Sequence, residues 1–321
     1  MSNMQGSNNL RLWPEWTGEW FAPNLPPAIP HGDMPGDKVQ ISQEHIEKSG
    51  VIFPCLMPLL LQVAAKNPYE RAIVAVYGGS GVGKSEIASL LSYYLRELGI
   101  GSYTLSGDNY PHRIPQYNDA ERLRMFRAHG VRGLVTSGSY NPQIAETLRA
   151  LQDNEQDSDP ALTAQHEWLA EYQSAGRQGL KAYLGTPTEQ NFEELGEVVK
   201  CFKNGADEIW LKRMGRGVSD LWYEKASFKS IQILVVEWTH GNSDFYFGVD
   251  IPILLNSTPQ ETQAHRKVRA RDGKTDSAFT TMVLELEQQL LQTQSHKAKL
   301  IISKDGQMLS HTDYLKTMLE S

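Results

Sequence analysis

The run Ala72-Ile73-Val74-Ala75-Val76-Tyr77-Gly78-Gly79-Ser80-Gly81-Val82-Gly83-Lys84-Ser85 passes from five apolar residues into a glycine-rich turn ending in a lysine and a serine. The turn matches G-x-x-x-x-G-K-[ST], the phosphate-binding loop. The pattern needs a strand before it and a helix after it, and Glu86 to Leu98 has the composition and spacing of that helix. Gly78, Gly81 and Gly83 let the backbone bend and approach a ligand closely, because no Cβ intrudes. The amides of Gly79, Ser80 and Val82, with those of the glycines, then point inward and cradle an anion. The helix adds its unpaired N–H groups and the positive end of its dipole. Lys84 supplies a full charge to the terminal phosphates, and the Ser85 hydroxyl is placed for Mg²⁺. A nucleoside triphosphate is the ligand this loop implies.

Downstream, Ile87, Leu91, Tyr94, Leu95 and Leu98 recur at helical spacing, and Gly99 ends the helix. Ser102 to Ser106 reads as a second strand that runs into Gly107-Asp108-Asn109-Tyr110-Pro111-His112-Arg113. A carboxylate, an aromatic ring and a basic pair therefore follow the carboxyl end of a strand, where open α/β sheets bind ligands. Ile231 to Val236 is apolar and rich in β-branched residues, as in a central strand covered on both faces, and it ends in Glu237. Val249 to Leu255 and Lys299 to Ser303 read as further strands, with Phe192 to Phe202 and Ala278 to Gln294 as helices. Thr258 and Pro259 open a helix that carries Arg266, Lys267, Arg269 and Arg271. Strands alternating with helices predict a three-layer α/β domain around a mostly parallel sheet. Joined to the loop, that pattern is a phosphate-loop nucleoside triphosphate hydrolase fold.

The chain has 321 residues, of which 40% are hydrophobic and 21% charged, enough for a sizeable core. Its net charge of −7 argues against a general nucleic-acid binder. The two cysteines, Cys55 and Cys201, form no C-x-x-C pair, which fits a reducing compartment. The first residues lack the basic and apolar regions of a secretory signal. The apolar run Val51 to Ala65 is interrupted by Pro54, Pro58 and Gln62 and reads as a buried helix, so no membrane is expected. A cytoplasmic location follows as an expectation.

Six of the sixteen prolines fall in the first 35 residues, beside Trp13, Trp16, Trp20 and Phe21. Disordered tails are poor in aromatic residues. Residues 1–66 are therefore expected to form an arm and helices, the tryptophans packing on the domain or on a second copy as a homodimer. Residues 67–321 are expected to form the nucleotide-binding domain, with an inserted helical and acidic segment at about 130–190. Its acidic patch, Asp153, Glu155, Asp157 and Asp159, reads as a solvated loop.

Moving a phosphoryl group onto an alcohol calls for a carboxylate to orient the hydroxyl and accept its proton. Asp108, one strand from the loop, is the candidate, acting with Lys84. Glu237 can serve the Mg²⁺ beside Ser85 and line the acceptor side. Lys267 and Arg271, in the basic run, can close over the phosphates. The same run is also what a solvated helix face shows.

On these landmarks the chain resembles the uridine kinase and phosphoribulokinase family of phosphate-loop kinases. They are Gly78 to Ser85, Ser106-x-Asp108 with Tyr110, Val235-Val236-Glu237, Arg271-Asp272 after a basic helix, and Leu300-Ile301-Ile302. The resemblance covers roughly residues 70 to 310 and implies ATP- and Mg²⁺-dependent transfer to a hydroxyl of a small metabolite. By the matching positions Asp108 is the base, and Lys267 and Arg271 belong to the lid. Trp238 stands where the family usually has glycine. Lys212-Arg213-Met214 stands in a hairpin that in uridine kinases carries an aromatic residue and an acid for the nucleoside. These departures point away from uridine. With Tyr110, the basic residues His112, Arg113 and Arg213 suit an anionic or sugar-like acceptor. The Gly107-Asp108-Asn109 turn and Arg113 are also similar to adenylylsulfate kinases. A nucleotide-dependent regulatory or assembly protein would use the same loop without any small acceptor.

Overall fold

The computed structural model describes residues 13–217, 219–263 and 277–320. In chain order its elements are α1 (Gln43–Ala64), β1 (Ala72–Gly78), α2 (Lys84–Glu97), β2 (Ser102–Ser106), α3 (Pro115–Ser137), α4 (Pro142–Asp153), α5 (Glu167–Tyr183) and α6 (Phe192–Lys203). There follow β3 (Glu208–Met214), β4 (Leu221–Ser227), β5 (Ile233–Glu237), β6 (Ile251–Leu255), α7 (Ala278–Gln294), β7 (Leu300–Ile302) and α8 (His311–Glu320). The chain forms two compact units.

The first unit takes residues 1–110, 192–258 and 291–321. Its sheet runs β2-β5-β1-β6-β7, every neighbouring pair parallel. β1, β5 and β6 are buried at every position, because both faces of the sheet are covered. Alternation sorts their side chains. Ala72, Val74, Val76, Ile233 and Val235 join a core with Ile52, Phe53 and Leu56 of α1 and Leu91 and Leu95 of α2. Ile73, Leu234 and Val236 join Phe192, Leu195 and Val199 of α6. That is the expected three-layer arrangement with an N-terminal extension before it. α1 is long and apolar enough to cross a membrane by length and composition alone. Here Ile52, Phe53, Leu56 and Leu60 are fully buried in the core, and Pro54 and Pro58 lie inside the helix.

The arm precedes α1 in extended form. Trp13 is buried, and its indole donates to the Glu70 carbonyl at 3.2 Å. Trp20 packs on Phe53 and Tyr94 at 4.7 and 4.9 Å between ring centroids. The arm thus covers the outer side of α1 and α2.

The second unit takes residues 111–191 and 259–290. α3 runs unbroken through Gly130 to Ser137. Asp157 departs from the expected solvated patch. It is 1% exposed, accepting from Arg127 Nε at 3.1 Å and from the Tyr172 hydroxyl at 2.8 Å. Arg122 donates to the buried Glu189 carboxylate.

Candidate active site

β1 places the loop. It ends at Gly78, whose φ is +155° and which pairs with Leu255 of β6. A Cβ there would stand 2.5 Å from the Leu255 carbonyl oxygen, so only glycine fits. The chain turns through Gly81 and Gly83, both in left-handed backbone, and α2 begins at Lys84. Lys84 Nζ donates to the Gly79 carbonyl at 3.0 Å, which folds the ammonium over the loop. Ser85 is buried in the first turn of α2, and its hydroxyl donates to Glu237 Oε2 at 3.0 Å.

Glu237 ends β5, between β1 and β2 in the sheet, in register with Val76 and Ser106. One carboxylate oxygen accepts from Ser85; the other accepts from the Ser106 hydroxyl in a short bond. Burial raises its pKa, the charge of Asp108 raises it further, and Ser106, Lys84 and Ser85 pull it down. Asp108 is exposed on the short 3₁₀ turn Gly107–Asn109 that follows β2. The loop, Glu237 and Asp108 therefore form one electrostatic cluster at the carboxyl ends of β1, β5 and β2. Trp238 is buried against this turn. A Cβ on Gly107 would meet its indole at 2.1 Å, so the large ring after Glu237 is accommodated by the glycine before Asp108.

Arg213 and Tyr110 lie in the same unit. Tyr110 is buried, and burial pushes its phenol far up. Arg213 on β3 is 6% exposed and is held by two carboxylates, Asp33 at 2.9 Å and Glu224 at 3.1 Å. β4, which completes the hairpin with β3, escaped the sequence reading because its side chains are exposed on both faces and show no alternation. Asp33 also escaped it. Its segment, His31-Gly32-Asp33-Met34-Pro35-Gly36, has the composition of a loop. The only signal was an acid between glycines in an arm already expected to dock.

His112 and Arg113 belong to the second unit. His112 Nε2 lies 2.9 Å from the Pro187 carbonyl, and Arg113 donates to the Tyr183 hydroxyl at 3.0 Å. Lys267 and Arg271 lie outside the described residues. Among the described residues no group of three or more His, Cys, Asp or Glu side chains is arranged to hold a metal ion.

No family model matches the chain. It is 37% identical over 240 residues, 75% of its own length, to a bifunctional alpha-galactosidase/sucrose kinase of Mediterraneibacter gnavus. It spans about a fifth of that relative, 21% of its length. Two solved structures overlay more loosely. One is assigned as a fructose transport system kinase of Silicibacter sp. TM1040, with 13% identity over 79% of this chain and 96% of that one, at a TM-score of 0.45. The other is assigned as a uridine kinase of Bacillus stearothermophilus, with 12% identity over 77% and 98%, at 0.36. At these scores neither overlay carries any part of the functional reading. The glycine loop at the end of the central strand and the all-parallel order of the main sheet give this chain a three-layer α/β fold built around a phosphate loop.

Proposed function

We propose that the chain is an ATP-dependent kinase that phosphorylates a hydroxyl of a neutral sugar. The observation that carries this reading is Glu237 bonded at once to Ser85 and to Ser106. It joins the end of the phosphate loop to the strand whose next turn presents Asp108. A nucleotide cup and an exposed carboxylate beside it are the two halves of phosphoryl transfer to an alcohol.

In this mechanism the loop amides from Gly78 to Ser85 and the Lys84 ammonium hold the nucleotide phosphates. Asp108 accepts the proton of the acceptor hydroxyl as its oxygen bonds to the γ-phosphorus. The bond from that phosphorus to the bridging β–γ oxygen breaks, and ADP leaves with the electron pair. The Ser85 hydroxyl and the Glu237 carboxylate are oxygen donors suited to Mg²⁺, which takes few protein ligands and keeps several waters. A bound Mg²⁺ would neutralise charge on the phosphates. Lys267 and Arg271 are assigned to a closing lid on their sequence positions alone.

The acceptor follows from charge and likeness together. Arg213 faces Asp33 and Glu224, so its charge is balanced within the protein and is not reserved for an anionic substrate. Trp222 and Tyr223 of the hairpin are 40% and 50% exposed, surfaces on which the apolar face of a sugar ring can lie. The Mediterraneibacter gnavus relative is named a sucrose kinase. An ADP-release screen over sucrose, fructose, glucose, uridine, glycerate and adenylylsulfate tests the reading. Release with sucrose or another neutral sugar is expected. Release with adenylylsulfate or glycerate alone would replace the acceptor, and slow acceptor-independent hydrolysis alone would favour a nucleotide switch.

A further inference from the structure

We propose that the N-terminal arm is a working part of this site, and that Asp33 is a positioning residue for the turn that carries Asp108. The arm leaves its tryptophan anchors on α1 and α2 and passes over the carboxyl ends of β2 and β5. At Gly32 the backbone runs so close that a Cβ would stand 3.5 Å from Glu237 Oε1 and 3.6 Å from Thr104 Cγ2. The next residue turns its carboxylate inward, leaving that side chain 9% exposed.

Asp33 meets four donors from two separate stretches of chain, residues 103–109 and β3. Its Oδ1 accepts from the Ser106 amide at 2.7 Å and from Asn109 Nδ2 at 3.1 Å. Its Oδ2 accepts from the Tyr103 hydroxyl at 3.0 Å and from Arg213 Nη1 at 2.9 Å. Ser106 and Asn109 bracket Asp108, so two of the four bonds grip the turn on either side of the proposed base. The grip extends outward. The Asn109 side-chain carbonyl accepts from the Met214 amide at 3.0 Å, and Arg213 Nη2 donates to the Tyr103 hydroxyl at 2.9 Å. It also extends inward, because the Ser106 hydroxyl donates to Glu237, which holds Ser85. One carboxylate from the arm thus ties together the Asp108 turn, the β3–β4 hairpin and, through Ser106, the phosphate-loop side.

Asp33 touches neither phosphate donor nor acceptor in this arrangement. Its effect on turnover is to fix where Asp108 sits, and misplacement of a reacting group by about 1 Å can cost on the order of a hundredfold in rate. Burial raises the pKa of this carboxyl, and the Arg213 charge, the Ser106 amide and the Tyr103 hydroxyl act against it. The residue belongs to a segment outside the strands and helices of the fold, so a separate arm completes the site.

This inference rests on the kinase reading only for its kinetic part. The test is Asp33→Asn in the full chain, measured by steady-state kinetics and by hydrogen exchange. The expected kcat falls about tenfold to a hundredfold while KM for ATP stays within twofold. Peptides spanning 104–110 and 212–215 should exchange faster, with β1 and the loop unchanged, and Asp33→Glu should restore part of the rate. If Asp33→Asn does not fold, Tyr103→Phe removes one of the four donors and should lower kcat severalfold with the same unchanged KM for ATP. Wild-type kcat and exchange in either soluble variant would overturn the role of Asp33. A wild-type chain that phosphorylates no acceptor would instead overturn the kinase reading and leave the exchange result to judge the arm.

Discussion

Asp108 is exposed, yet its charge reaches the buried Glu237, and that pairing defines what each can do. Glu237 is buried, and each of its carboxylate oxygens already accepts a serine hydroxyl, from Ser85 and from Ser106. Asp108 is exposed on its turn. Asp108→Asn keeps the turn geometry and removes the proton acceptor, so turnover should fall by roughly two to four decades with ATP affinity nearly intact. Rate measurements beside nucleotide titration check this, and wild-type turnover would remove Asp108 from the chemistry. The residues of the loop, Asp108 and Glu237 were all legible in the sequence, because a motif with fixed spacing and two strand-end acids announce themselves. Asp33 was not, since nothing local distinguishes an acid that four distant donors will engage. Arg213 was read as a basic group suited to an anionic or sugar-like acceptor. The carboxylates that hold it come from the arm and from β4, 180 and 11 residues away.

At the scale of elements, the arm docks through aromatic packing rather than through strand pairing. Trp13, Trp16 and Trp20 lie against α1 and α2, and Leu25 and Ile29 continue the contact. Deleting residues 13–30 should cost at least about 3 kcal/mol, the scale of removing one buried tryptophan. For a domain of this size that lowers Tm by roughly 6–12 °C. Thermal unfolding of the truncated chain checks this; an unchanged Tm would mean that the tryptophans contribute nothing to stability. The docking was foreseeable from composition, because aromatic residues beside prolines need a surface. Which surface they choose was not foreseeable, as it depends on where α1 and α2 leave Phe53 and Tyr94 reachable. α3 shows the opposite difficulty. Gly130 interrupts its pattern, and in the structure that glycine faces the Tyr172 ring of α5, where a Cβ would lie 2.5 Å from the ring. A crossing of two helices, not a break in one, explains the residue.

At the scale of the whole molecule, the two units carry different kinds of core. The first is built on a sheet of β-branched and aliphatic residues. The second is helical and leans on buried polar groups, with Asp157 gripping Arg127 and Tyr172, and Glu189 gripping Arg122, Asn118 and the Gly185 amide. Removing one partner of such a pair strands the other. Asp157→Ala should therefore destabilise by about 2–4 kcal/mol. Urea unfolding followed by proteolysis at sites within 111–191 checks it, and wild-type stability would mean that the carboxylate is dispensable. The acidic patch read as solvated because a sequence shows charge and not its partners.

The alternation of apolar strands with amphipathic helices, and the glycine spacing before Lys84, settled the fold class and the nucleotide loop from the sequence by itself. Both are local: side-chain period and backbone freedom act within a few residues of one another. Tertiary structure alone decided that Asp33 meets Tyr103, Ser106, Asn109 and Arg213, that Arg213 is already matched by two carboxylates, and that Asp157 is buried. Those outcomes depend on which distant donors and acceptors share a space with little water, where an unpaired charge is costly.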